Sequence, residues 1–468
     1  MRRIWLGLIG VAACKGTPAP TPDAALPVWD KTLPEASVMG VRRGLTPARG
    51  IIHLHSPYSH DACDNMPRNP LPLGTVNEPC LQDLRLALCA DHIDFAALTD
   101  HDDTMSDEEM PTLFSMRGSD QPLYDAADEQ NGSRITCDDG HQVLMTVGTE
   151  NTLMPIMFDH HVPGTIAERQ AIYTADTADA VVAFKAAGAL AWVAHTEQHD
   201  ITELRTVLPD GIEVYNLHAN IDPKIRGPFL NLDPDAAIDA AVLFADTTPG
   251  HPEPDLALLS FLSVNQPDVD RWNLILGDGR HMPATAGSDA HENALPILLA
   301  DGERGDSYRR VLRWFSNEVL VADPHYPAQI KAAVAAGEMF ATFEIMGTPA
   351  GFDVYATTAA GATVELGGQV AVADNATLTV NVPTVLGLDP TLPAPAIHAQ
   401  IIFVDASGPT VVATGDGPIL TAPMSAAGAY RVEISIVPNH LGPYLADLGP
   451  MYAQQELPWI YASPIYVQ

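Results

Sequence analysis

Six apolar segments of this sequence each run straight into a histidine, an aspartate or a glutamate, and that recurrence constrains the fold more than any other feature. The run Ile51-Ile52-His53-Leu54-His55-Ser56 delivers two imidazoles at i and i+2. Strand side chains alternate faces, so both rings project to one side. Ser59-His60-Asp61 follows within reach, Phe95 to Leu98 leads to Asp100 and His101, and Val143 to Val147 leads to Glu150. His160-His161-Val162-Pro163-Gly164, Ala191 to His195, and Ala286-Gly287-Ser288-Asp289-Ala290-His291 complete the set. Each is ordinary singly: an HxH pair arises by coincidence, Asp100 would serve as a helix cap, and Glu150 as a surface acid. Together they point to metal ligands gathered on the rim where parallel strands end.

Between these segments lie helix-like stretches such as LQDLRLALCADH and TADAVVAFKAAGA. Alternation of this kind predicts an α/β chain with a largely parallel sheet. Residues 49–347 are expected to form a barrel, with inserts near 103–140 and 219–283 running over its rim and shaping access to the site. Residues 348–468 change character to period-two segments such as ATLTVNVP and GAYRVEISIV, which predict a small C-terminal β-sandwich.

Arg2 and Arg3 precede a short apolar run, Ile4 to Ala13, with the layout of an export signal. The run closes with Val11-Ala12-Ala13-Cys14, which resembles the lipobox of bacterial lipoproteins. On that resemblance residues 1–14 are a signal peptide ending at a lipidated Cys14. Residues 15–48 form a Pro-rich tether, and the chain is exported and lipid-anchored at the outer membrane or periplasmic face. The remaining Cys63, Cys80, Cys89 and Cys137 permit two disulfides, with Cys63–Cys80 and Cys89–Cys137 the expected pairs. Thiolate metal ligation is the rival reading, although no Cys-x-x-Cys occurs. A formal net charge of −35 argues against a nucleic-acid partner, since such a surface repels phosphate backbones.

The motifs HLHS, TDHD, Gly-x-Glu, HVPG, AH, IEVYN and GSDAH, in this order, resemble those of the polymerase and histidinol phosphatase (PHP) superfamily of metal-dependent phosphoesterases. The resemblance spans roughly residues 50–345 and implies a distorted (β/α)7 barrel with two or three divalent ions, zinc, manganese or iron. It implies one ion on His53, His55, Glu150 and Asp289, and a second on Glu150, His161 and His195. A third falls to His101, His291 and either His60 or Asp61. Glu150 is the implied bridge. The sequence departs from the family where Thr196 replaces the usual proline after the AH motif. The tail Pro458 to Tyr466 is similar to that of the CehA/McbA-like branch, some of whose members are associated with ester or carbamate hydrolysis.

The expected activity is hydrolysis of a small phosphoester by a metal-bound hydroxide, with His53, His55, Glu150, Asp289 and His291 acting through the ions. His199 and His218 are the candidate proton donors to the leaving oxygen. A carboxyl- or carbamate-ester hydrolase with the same ions is the alternative within enzymes, and a non-catalytic metal-binding surface lipoprotein the alternative outside them. Neither a Gly-rich phosphate loop nor a GxSxG motif is present. Oligomeric state is not legible.

Overall fold

The computed structural model describes residues 26–68 and 75–468. The expected signal peptide, Cys14 and the tether up to residue 25 lie outside the described residues. From there on, the expected tether packs against the body of the protein. Leu33, Ala36 and Met39 are buried, and Trp29 stacks edge-on against Tyr444 while its indole N–H donates to Asp255 Oδ2 at 2.9 Å. Ordered packing therefore begins some twenty residues before Arg49, because this proline-containing segment carries apolar anchors that the composition hides.

The barrel strands are β1 (Thr46–Leu54), β2 (Phe95–Leu98), β3 (Gln142–Val147), β4 (Met154–Ile156), β5 (Leu190–Val193), β6 (Gly211–Asn216), β7 (Ala284–Gly287), β8 (Ser316–Val321) and β9 (Met339–Thr342). β1, β2 and β3 run parallel, as do β5, β6 and β7. The two arcs meet where Asp289 N–H donates to the His53 carbonyl at 3.0 Å and His55 N–H to the Ala290 carbonyl at 3.1 Å. At the other seam Phe158 N–H donates to the Val147 carbonyl at 2.9 Å. The ring departs from a regular repeat of seven strand and helix pairs. β4 returns antiparallel to β5, since the short link from β3 leaves no room for a crossover helix, and β8 runs antiparallel to β1.

Neither insert is only a rim excursion. Gln130–Thr136 pairs antiparallel with β3 and Gln121–Tyr124 pairs with it in turn, extending the sheet edgewise. The helix α1 (Gln266–Gly277) packs on β6 as a barrel helix and also touches the C-terminal strands.

The C-terminal region has two antiparallel layers. One holds β10 (Asp353–Thr357), β11 (Thr377–Asn381) and β14 (Ile419–Pro423); the other holds β12 (Ala396–Asp405), β13 (Gly408–Gly415), β15 (Gly428–Val437) and β16 (Leu457–Val467). The second layer is not separate from the barrel. β16 pairs with β9, Ala341 opposite Tyr461, so one sheet runs from β13 through the barrel to the Gln121–Tyr124 edge. Four tryptophans, Trp192, Trp272, Trp314 and Trp459, are fully buried in this body.

Both expected disulfides, Cys63–Cys80 and Cys89–Cys137, are present. No helix among the described residues is long and apolar enough to cross a membrane.

Candidate metal centre

The strand ends bring most of the predicted ligands together. His53 and His55 leave β1 fully buried, with their Nε2 atoms 3.2 Å apart. Glu150 Oε2 lies 3.4 Å from His53 Nε2 and 3.1 Å from His55 Nε2; Asp289 Oδ1 lies 3.3 Å from each. Tetrahedral sites with metal–ligand bonds of about 2.0–2.2 Å hold their donor atoms roughly 3.3–3.6 Å apart. These four side chains approximate that spacing and form one of the groups able to hold an ion.

On the other side His195 Nε2 is 3.4 Å from Glu150 Oε1 and 3.0 Å from Asp289 Oδ2. Each carboxylate thus shows one oxygen to the His53–His55 pair and the other to His195, the disposition of a bridge. His195 and Asp289 both hold left-handed backbone conformations, φ 48° and 50°, a strain tolerated where the ring and carboxylate must be aimed inward. A further group comprises His55, Asp61, His101 and His291, with Asp61 Oδ2 3.3 Å from both His101 Nε2 and His291 Nε2. His55 belongs to both groups, and one imidazole nitrogen serves one ion.

Of the two candidates in Ser59-His60-Asp61, Asp61 is the one that faces the cluster. His60 is exposed and faces Asp103 at 3.4 Å. His161 does not join the cluster: its Nδ1 meets Tyr173 Oη at 2.9 Å and its Nε2 the Glu108 carbonyl at 3.0 Å, so both nitrogens tie the insert to the body. His199 is held by Glu203 at 3.1 Å. His218 lies nearer, its Nδ1 3.7 Å from Asp289 Oδ2 and its ring edge-on to His291.

Glu213 was not foreseen as part of the site, although it stands in the IEVYN motif. Its Oε1 accepts from His53 Nδ1 at 2.7 Å, and its Oε2 accepts from the His195 N–H at 2.9 Å and from Asn216 Nδ2 at 3.1 Å. The readable signal was a carboxylate inside an otherwise apolar strand. Gly287 makes room for this carboxylate, since a Cβ there would lie 1.9 Å from Glu213 Oε1. Asp100 likewise supports the site from behind, accepting from the Ser56 N–H and hydroxyl at 2.6 and 2.7 Å. Burial, opposed by His55, pushes its pKa up to about 6.

Burial works against a proton on His53, but Asp289, Glu213 and Glu150 outweigh it and hold its pKa well above the histidine range. His195 is raised against burial by Asp289 and Glu197. Glu150 and Asp289 are buried, which favours their neutral forms, yet the surrounding histidines hold both well below the carboxylate range. A field that draws protons onto imidazoles draws a divalent cation equally well. Two buried atoms aimed into the cluster, Asp289 Oδ1 and His291 Nε2, have no hydrogen-bond partner. Unsatisfied buried groups are costly, and an ion would satisfy both. The residues present therefore fit a divalent metal centre.

No known family's sequence profile matches the chain, and no curated protein matches it. Among solved structures, a two-domain protein from Bacteroides vulgatus ATCC 8482, containing a predicted PHP-like metal-dependent phosphoesterase, is similar over 94% of this chain and 100% of that one. The identity is 11% and the TM-score 0.33.

Proposed function

We propose that this chain is a metal-dependent hydrolase of the PHP type and that its substrate is a small phosphoester. The observation that carries the reading is the convergence of the buried His53, His55, Glu150, Asp289 and His291 with the partly exposed His195, with two donor atoms lacking a hydrogen-bond partner. The ion pairs of Asp61, Glu150, Glu213 and Asp289 are all made to histidines, so with those rings neutral a divalent metal would supply the cluster's positive charge. When bound, divalent ions acidify water and offset negative charge on the ester under attack.

The chain's own groups set up that chemistry. Glu213 takes the Nδ1–H of His53, leaving Nε2 as the lone-pair nitrogen that faces the cluster. The Asp289 carbonyl does the same for His291 through its Nδ1–H at 2.7 Å. His218, only partly exposed at the edge of the cluster, is the candidate to protonate the leaving oxygen. The lipobox-like sequence at Cys14 supports export and lipid anchorage as part of the same proposal.

The test is metal analysis of purified protein together with hydrolysis of p-nitrophenyl phosphate, its bis-ester and p-nitrophenyl acetate in Mn2+ or Zn2+. Phosphoester turnover with bound metal, abolished in Asp289→Ala and in His55→Ala, is the expected result. Turnover of the acetate alone would move the substrate to carboxyl esters. A folded protein without stoichiometric metal would overturn the reading.

A further inference from the structure

Glu197 stands behind the cluster, two residues past His195 in the short 3-10 turn Thr196–Gln198 that follows β5. Its side chain is fully buried, and a buried carboxylate is costly unless paired. Among the described residues it has neither a lysine or arginine partner nor a backbone N–H. Its Oε1 meets His195 Nδ1 at 2.9 Å and Gln198 Nε2 at 3.5 Å, and its Oε2 has no hydrogen-bond partner. The helix α1 packs on this turn and brings a second buried carboxyl, Asp268. Burial, with the Glu197 charge adding to it, holds the Asp268 carboxyl well above the carboxylate range. The nearby Arg271 guanidinium is bonded to the His199 and Pro267 carbonyls.

His195 is held from two sides. Its backbone N–H goes to Glu213 Oε2 at 2.9 Å, and its ring Nδ1 goes to Glu197. With the Nδ1–H given to Glu197, Nε2 carries the lone pair, and it faces Glu150 Oε1 at 3.4 Å and Asp289 Oδ2 at 3.0 Å. The rings of the cluster differ in what backs them. His53 has the Glu213 carboxylate, whereas His55 has the Ser59 hydroxyl, His101 the Glu150 carbonyl and His291 the Asp289 carbonyl. A carboxylate forms the stronger, charge-assisted bond and raises the basicity of the imidazole it backs. His195 therefore shares with His53 the support that makes the better metal donor.

Given the reading of the cluster as a metal centre, on which this rests, we propose that Glu197 is a positioning residue of that centre. It fixes the His195 ring with Nε2 toward Glu150 and Asp289 and strengthens that nitrogen as a donor to a divalent ion. Packing does not account for a carboxylate at this place, since an apolar side chain of similar size fills buried space without the cost of burying charge. Capping does not either, since the Glu197 carboxylate bonds no backbone N–H of its turn.

The test uses the full chain, stripped with a chelator and titrated with Zn2+ against a chromophoric competitor, which gives the number of ions and the affinity of each. Glu197→Gln keeps an acceptor oxygen but not the charge, and is expected to bind one ion about tenfold more weakly. Glu197→Leu keeps neither while filling the same space, and is expected to lose about a hundredfold. Wild-type affinities in Glu197→Leu, with unchanged circular dichroism, would overturn the proposal. Should that variant not fold, Glu197→Gln decides: the tenfold loss supports the role, and wild-type affinity overturns it. Stripped wild type that takes up no Zn2+ would instead bring down the metal reading, and this role with it.

Discussion

His53 shows at the scale of a single residue how much of the centre depends on groups that never face the ions. Its Nε2 enters the cluster only because Glu213 holds Nδ1. Glu213→Gln is expected to weaken metal binding and lower kcat/KM by roughly 10- to 100-fold, the usual cost of losing such a support, with the fold intact by circular dichroism. Metal titration and steady-state kinetics on one preparation check this, and unchanged values for both would remove Glu213 from the site. His161→Gln is expected to leave bound metal unchanged while costing about 1 kcal/mol of stability through its two lost hydrogen bonds. Metal loss on that substitution would return His161 to the ligand set. The histidines and carboxylates that cluster at the strand ends were legible because HxH and DxH spacings on a strand fix a shared face whatever the tertiary context. The Glu213 role was not, since a buried carboxylate in an apolar strand shows its partner only when β1 and β6 are brought together. Nor was the choice between His60 and Asp61, which turns on one residue's rotation in a tight turn.

Among the elements, β1 and β8 bury a charged layer beneath the centre. Arg49 is fully buried and paired with Glu344 at 2.7 and 2.9 Å, and Glu318 stands 3.7 Å away. Burial, opposed by Arg49, pushes the Glu318 carboxyl from 4.5 up to about 8. Between those values the folded protein holds a proton that the unfolded chain has released. The stability owed to the neutral carboxyl is therefore complete below the lower value and drains away as pH rises through the upper one. Glu318→Gln stays neutral throughout, so its stability relative to wild type is expected to grow from pH 5 to pH 8.5, by roughly a few kcal/mol at most. Urea unfolding at the two pH values measures this, and a pH-independent difference would show Glu318 to be ionised in the native state. The alternation of apolar strand and helix announced the parallel arcs at this scale. It did not announce the antiparallel β4 and β8, because direction is set by connection length and packing and leaves no mark in a strand of three to six residues. The 219–283 insert concealed the barrel helix α1 because its flanks are rich in proline and acid.

At the scale of the whole molecule, one sheet crosses from the barrel into the C-terminal region. Composition changes near residue 348 and suggests a boundary, yet hydrogen bonding crosses it where β16 pairs with β9. A chain ending at residue 347 is expected to lack cooperative unfolding and to aggregate, since the β9 edge and the apolar faces over Trp459 would be exposed. Gel filtration and thermal denaturation of that fragment check the point, and a monomeric, cooperatively folding fragment would establish two independent domains. Long-range pairing of this kind is hard to read from sequence, since β16 looks like any other edge strand.

The pairing of β16 with β9 also orders events in time. The partner that covers Met339–Thr342 comes from Leu457–Val467, more than a hundred residues later in synthesis. Until those residues emerge, every barrel strand can be present while one edge stays open, a state in which edge-to-edge association with other nascent chains competes with folding. Closure of the β9 edge thus waits on Leu457–Val467.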